Sequence, residues 1–295
     1  MATIIEAKNL SKRYGSFVAL DDVSFSVQPG RIVGLIGRNG AGKTTALKAI
    51  LGLTTYQGSV QVLGIEPARD RDALMSQVCF IADAAVLPRW LSVGHALDYV
   101  AGVHPRFDRQ RAEQVLAKTD IRRGARIGEL SKGMITQLHL ALILAIDARL
   151  LVLDEPTLGL DLIYRRQFYD TLLNDYIDQE RTILLTTHQV EEVENLLTDV
   201  LFIERGRVLL DASVDELSAR FQQLTVAPQQ LEQARALNPF YVRELFGRTI
   251  MLYENMPADQ LAGLGELRTP GIADLFVARM QGATPQTDTP QEDAR

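Results

Sequence analysis

The chain has 295 residues, 46% hydrophobic and 23% charged, a balance that excludes wholesale disorder and suits one large globular domain or a domain with an appendage. Its net charge of −6, with no long run of Lys and Arg, excludes nucleic acid and anionic lipid as main partners. Cys79 is the single cysteine, so no intrachain disulfide forms and a reducing compartment fits; Met1-Ala2-Thr3-Ile4-Ile5-Glu6 lacks the apolar core of a signal peptide. Residues 3–36 read as strands. Val18, Leu20, Val23, Phe25 and Val27 alternate in part, Pro29-Gly30 marks a turn, and 31–36 is a short apolar run. A loop over 37–45 opens a helix that continues to Leu51, and 60–62 and 78–81 predict further strands. From about Ser92 to Arg126 the pattern is helical and charged, and helical spacing resumes over 134–146. The apolar stretch 138–146, which contains His139, is far shorter than the roughly 20 residues that cross a bilayer. Work at a membrane therefore requires a separate membrane partner.

Residues 150–153 and 182–186 have the length and flanks of buried parallel strands, with a helix at about 162–176 between them. This alternation predicts a parallel sheet covered by helices. After Phe221 the texture changes. Residues 222–226 and 249–253 read as strands, with Leu261 and 272–280 in helices, giving a small module over 222–281. A tail over 282–295, rich in Pro, Thr, Gln and acid, is expected to be disordered.

Gly37-Arg38-Asn39-Gly40-Ala41-Gly42-Lys43-Thr44 fits G-x-x-x-x-G-K-[ST] between an apolar strand and a helix, with Thr45 next in line. Glycines let backbone N–H groups turn inward around phosphate oxygens, and the helix N-terminus adds a favourable dipole. In such a loop Lys43 reaches the β- and γ-phosphates and the Thr44 hydroxyl takes Mg²⁺. Asp154 ends a buried strand, where a carboxylate is costly without a cation or hydrogen bonds. It is expected to serve Mg²⁺ directly or through water, with Glu155 at the strand tip as general base for an attacking water. Two adjacent carboxylates are commonly just solvated charge. Here the apolar residues 150–153 before them and Pro156 after them favour catalysis.

Leu130-Ser131-Lys132-Gly133-Met134 stands between the glycine-rich loop and Leu150-Leu151-Val152-Leu153-Asp154-Glu155-Pro156. This order resembles the ATP-binding subunits of ABC transporters, over residues 3 to about 220. The resemblance implies an α/β P-loop ATPase core with an antiparallel β-subdomain and an α-helical subdomain at about 92–128, within a domain over 1–221, followed by the small α+β module. It implies ATP and Mg²⁺ as cofactors, and head-to-tail pairing with a second copy or a homologous subunit. In that pair Ser131, Lys132 and Gly133 contact the γ-phosphate of ATP held by the other protomer. Lys132 and Met134 depart from the family's Leu-Ser-Gly-Gly-Gln, and a serine that only caps a helix is the plain alternative. Thr157-Leu158-Gly159-Leu160-Asp161 is similar to the family's D-loop, which touches its twin across the dimer. His188, after Leu184-Leu185-Thr186-Thr187, matches the histidine that senses γ-phosphate. Tyr14 resembles the aromatic that stacks on adenine, against the alternative of packing in a β-layer.

Where the family carries glutamine after the strand at 78–81, this chain has Asp83, one methylene shorter and charged. The departure implies either an oxygen contact to Mg²⁺ through water or loss of that contact. Residues 87–91, with the only tryptophan, Trp90, lie where the family receives the coupling helix of its membrane subunit; core filling is the alternative. The implied function is ATP hydrolysis that drives a transporter through an integral permease subunit, at the cytoplasmic face of the bacterial inner membrane, with no direct insertion. Details of the motifs resemble the ATPases of ABC-2-type exporters. The rivals are a non-transport ABC ATPase and a module that senses ATP without turnover. A single cassette without a heptad insertion argues against the first. Intact Lys43, Asp154, Glu155 and His188 argue against the second, which Asp83 keeps open.

Overall fold

The structure, a computed structural model, describes residues 3–82, 87–158, 160–175 and 181–282. The chain divides into two compact units, Met1–Asp211 and Ala212–Arg295. In chain order the first runs β1 (Ile5–Tyr14), β2 (Phe17–Val27), β3 (Ile32–Ile36), α1 (Lys43–Ile50), β4 (Gln57–Val62), α2 (Arg71–Met75), β5 (Val78–Ile81), α3 (Val93–Val103), α4 (Arg109–Leu116), α5 (Lys132–Leu144), β6 (Leu150–Asp154), α6 (Leu162–Asp175), β7 (Thr182–Thr187), β8 (Asp199–Glu204) and β9 (Arg207–Ser213). The last two residues of β9 fall in the second unit.

Two sheets form the first unit: an antiparallel one in the order β2-β1-β4 and a six-stranded one in the order β5-β6-β7-β3-β8-β9. The run from β5 to β8 in the larger sheet is parallel. β6 and β7 are buried along their whole length, which explains the apolar runs Leu150–Leu153 and Ile183–Leu185: both faces are covered, so the sequence does not alternate, and their polar residues, Asp154 and three threonines, stand at the strand ends. Ala46, Leu47 and Ile50 of α1 share one core with Leu10, Leu20 and Phe25 of the small sheet and Leu35, Val152 and Leu184 of the large one. Each buried Leu or Ile there contributes roughly 1.5–3 kcal/mol.

The helical part expected near 92–128 holds α3, α4 and a 3-10 turn at Ile127–Glu129. Ser92 caps α3 by accepting from His95 N at 3.2 Å, and Asp108 caps α4 by accepting from Arg111 N at 3.0 Å. Val93, Leu97, Ala112 and Leu116 pack with Leu138 and Leu142 of α5 into a second core. Trp90 is 76% exposed, so core filling is not its role.

The second unit contains α7 (Val214–Arg220), β10 (Phe221–Val226), α8 (Leu231–Ala236), β11 (Tyr241–Leu245), β12 (Arg248–Glu254), α9 (Ala258–Leu261), β13 (Gly265–Arg268) and α10 (Ile272–Gly282). Its sheet is antiparallel in the order β11-β12-β10-β13, the split β-α-β arrangement. Leu224, Met251 and Tyr253 pack with Ala234 of α8 and Leu261 of α9, and the Tyr253 hydroxyl donates to Ala234 O at 2.7 Å. Arg279 of α10 donates to Glu254 at 2.7 Å and lies over the rings of Phe221 and Phe240. Burial pulls the Glu254 carboxyl up, yet hydrogen bonds and charge from Arg279 and Arg220 outweigh it and hold the carboxyl below its ordinary value. β11 is an edge strand, and Phe246 in the turn after it is 97% exposed at φ 47°. This unit begins at Ala212, and α7 belongs to it, whereas the sequence places the start of the module at 222. The expected tail lies outside the described residues from 283 onward.

Candidate functional site

Three neighbouring parallel strands, β6, β7 and β3, end side by side, with Asp154 level with Thr186 and Ile36 level with Thr187. Ligands of open α/β sheets bind beyond the carboxyl ends of such strands. Past β3 the chain enters the glycine-rich loop. Two of its glycines are sterically required. A methyl group at Gly37 would lie 2.4 Å from Ile203 O, and Gly42, at φ 111°, would place one 2.5 Å from Ala19 O. Gly42 also leads into α1, whose first turn carries no side-chain cap. The N–H groups and positive dipole end of that turn are therefore available to an anion. Residues 38–45, with Phe17, Ala19, Glu155, Leu158 and His188, line a cleft of about 400 Å³.

Lys43 is 6% exposed. Its Nζ donates to Gly37 O at 2.7 Å and Arg38 O at 3.3 Å, and lies 3.1 Å from Glu155 Oε1. The other Glu155 oxygen, Oε2, is 2.8 Å from His188 Nδ1. One carboxylate thus joins the lysine of the loop after β3 to the histidine after β7. Glu155 sits at φ 49°, a left-handed conformation that costs a non-glycine residue roughly 1–3 kcal/mol. Thr186 holds it there: its Oγ1 accepts from Glu155 N at 3.0 Å and donates to Asp154 Oδ1 at 2.7 Å. That donation also supplies the buried Asp154 carboxylate, 2% exposed, with the hydrogen bond it requires. Behind the tip, the Thr157 hydroxyl is 3.3 Å from the Tyr169 hydroxyl, whose pKa burial pushes up to about 12.

The expected loop residues from Arg38 to Thr45 line the cleft, together with Glu155 and His188. Tyr14 does not. It stands directly opposite Phe17 in the β1–β2 register, with the Lys12 ammonium 5.0 Å from its ring, and Phe17 is the aromatic that reaches the cleft. Ser131 and Gly133 lie apart from the cleft of their own protomer, at the start of α5, where Ser131 Oγ caps the helix by accepting from Met134 N at 3.2 Å. Lys132 lines a second cavity of about 210 Å³ that shares Glu155 and Leu158 with the first. Asp83 and Gly159 lie outside the described residues. For a hard divalent cation the donor chemistry fits: the Thr44 hydroxyl is on the cleft wall, and the Asp154 carboxylate is buried at the end of β6. Sequence reasoning missed Thr186 and Phe17. A threonine inside an otherwise apolar buried strand, next to the Asp-Glu tip, was the available signal for the first.

The profile of the family described as ABC transporter matches residues 20–158. Nod factor export ATP-binding protein I of Cupriavidus metallidurans is 34% identical over 288 residues, covering 90% of each chain. The protein of the same name in Burkholderia pseudomallei is 35% identical over 292 residues, covering 92% of this chain and 95% of its own. A solved ATP-binding subunit of an ABC transporter superposes with a TM-score of 0.66 at 28% identity, over 73% of this chain and 92% of that one. The ADP conformation of another ATP-binding cassette superposes at 0.63 and 21% identity, over 73% and 93%, a likeness of fold alone.

Proposed function

This chain belongs to the ABC transporter family as an ATP-binding subunit with ATPase activity that powers transport, and from that premise we propose that it drives an exporter as one half of a head-to-tail pair. Such subunits work with membrane components, and among the described residues no helix is long and apolar enough to cross a bilayer. The proposed partner is an integral permease subunit, with this chain peripheral at the cytoplasmic face. The export function in the names of its relatives supports the direction.

The observation that carries the catalytic reading is the contact chain Lys43–Glu155–His188 along one wall of the loop-lined cleft. ATP phosphates sit in the loop, where Lys43 exchanges Glu155 for β- and γ-phosphate oxygens. Glu155, so released, accepts a proton from water as its oxygen attacks the γ-phosphorus and ADP leaves. His188 orients Glu155 through Nδ1 and faces the γ-phosphate. Thr44, with Asp154 through water, would hold Mg²⁺, which neutralises charge on the β- and γ-phosphate oxygens. Ser131, Lys132 and Gly133 serve the partner's ATP, a role supported for Ser131 and Gly133 by their absence from the cleft lining of their own protomer. Glu155→Gln keeps the shape and removes the proton acceptor. Turnover is expected to fall by roughly 10²–10⁴-fold with ATP still bound and the pair held closed. Near-normal hydrolysis would overturn the assignment, and a copurifying integral membrane protein would identify the permease.

A further inference from the structure

The signature segment at the start of α5 does not stand alone. A methyl group built on Gly133 would fall 2.2 Å from Cζ of the Tyr164 ring, with two further ring atoms within 2.8 Å, so the end of the ring occupies the place where a side chain would otherwise be. Gly133 is buried as a result. Tyr164 belongs to the first turn of α6, and its own N–H donates to Asp161 Oδ1 at 3.1 Å, as does that of Ile163. The next residue, Arg165, donates from Nε to Leu160 O at 2.7 Å and from Nη1 to Gln189 at 2.9 Å, and also pairs with Glu192, just beyond His188. The first turn of α6 therefore touches three segments: the stretch after Pro156, the turn after His188, and the signature.

We propose that Tyr164 is a positioning residue for the signature, its ring setting where Ser131 and Gly133 meet the ATP of the partner protomer. This rests on the head-to-tail reading given above. The geometry suits support rather than obstruction. In a helix the Cβ direction points mainly outward with a tilt toward the N-terminus, whereas N–H groups point along the axis. A ring in the Cβ direction therefore braces Gly133 from the side of the helix rather than along the line of its amides. Other ties on this turn run along the helix: the Ser131 cap, the Ile135 N–H bond to Ser131 O at 2.9 Å and the Thr136 hydroxyl bond to Lys132 O at 3.1 Å. None of these three resists a sideways shift. The contact needs the ring and not its hydroxyl, so phenylalanine should serve.

The test uses full-length chains. Tyr164→Ala should bind ATP within about twofold of the wild type, because its own phosphate loop is untouched, while turnover falls about 10–100-fold, the scale of an ångström-sized misplacement. Tyr164→Phe should keep turnover within about threefold. The decisive readout is mixing. A Tyr164→Ala protomer keeps its loop and loses its signature, so activity should return with Lys43→Ala and stay absent with Ser131→Ala. A merely destabilised fold would not sort between these two partners. Rescue by both mutants or by neither, or wild-type turnover in Tyr164→Ala, overturns the proposal. Lys43→Ala mixed with Ser131→Ala is the control: if that pair fails to complement, the shared-site reading itself falls. Should Tyr164→Ala lose its fold, Tyr164→Leu, which keeps apolar bulk without the planar ring, takes its place in the same mixing test and is expected to sort in the same way.

Discussion

Replacing Thr186 by valine keeps the volume of the side chain and removes one hydroxyl that serves two groups. Thr186 Oγ1 donates to the buried Asp154 carboxylate and accepts from the N–H of Glu155. A hydrogen bond to a charged group contributes about 1.5–3 kcal/mol, and a buried donor left without an acceptor costs about 1–3 kcal/mol. Thr186→Val should therefore destabilise the first unit by about 3–5 kcal/mol, against a typical total of roughly 5–15 kcal/mol. Thr186→Ser keeps the hydroxyl and loses a methyl group, for about 1 kcal/mol. Catalysis should separate the two variants further. Without its tie, Glu155 is no longer held at φ 49°, and its carboxylate moves off the line to Lys43 and His188. Turnover of Thr186→Val should fall about 10–100-fold while the serine variant stays near wild type. Urea unfolding of the first unit and steady-state ATP hydrolysis measure both effects. If Thr186→Val and Thr186→Ser unfold at the same midpoint and turn over alike, the hydroxyl does not hold the strand tip and this reasoning is wrong.

Two other consequences can be measured directly. Phe17→Ala should weaken ATP binding about tenfold and leave tripolyphosphate binding unchanged, because stacking acts only on the base, and Tyr14→Ala should do less; the reverse ranking would return the base to Tyr14. In the second unit, the Glu254 carboxyl lies below its ordinary value of 4.5 when folded, so its contribution is present above that pH and is lost as pH falls through the lower folded value. Glu254→Gln should flatten this acid limb, and an unchanged pH dependence of unfolding would refute the role of Arg220 and Arg279.

The catalytic core was legible because buried parallel strands and phosphate loops leave local signatures. Residues 150–153 and 182–186 are apolar runs since β6 and β7 are covered on both faces, and the loop glycines are required by the close approach of Ile203 and Ala19 carbonyls. What escaped was contact across the fold. No local pattern tells that Phe17 rather than Tyr14 lines the cleft, since the two are aromatic, lie three residues apart and stand opposite each other across one hairpin. Thr186 reads as a strand residue until its position level with Asp154 is known. In the second unit, β11 was missed because its exposed edge position imposes no apolar alternation, and α8 and β13 because each is short.

That exposed edge has a bearing on how the second unit avoids its own kind. A free edge strand invites another copy to extend the sheet. For two copies of β11 related by a two-fold axis, the antiparallel register that pairs all five residues, Tyr241–Leu245, is centred on Arg243. It sets Arg243 against Arg243 of the other copy, an unfavourable like-charge cross-strand pair. Sliding to relieve the clash shortens the ladder and gives up backbone hydrogen bonds. The central arginine thus opposes pairing in the full register, and Arg243→Val would leave Glu244 as the one charged residue of the strand before the exposed Phe246.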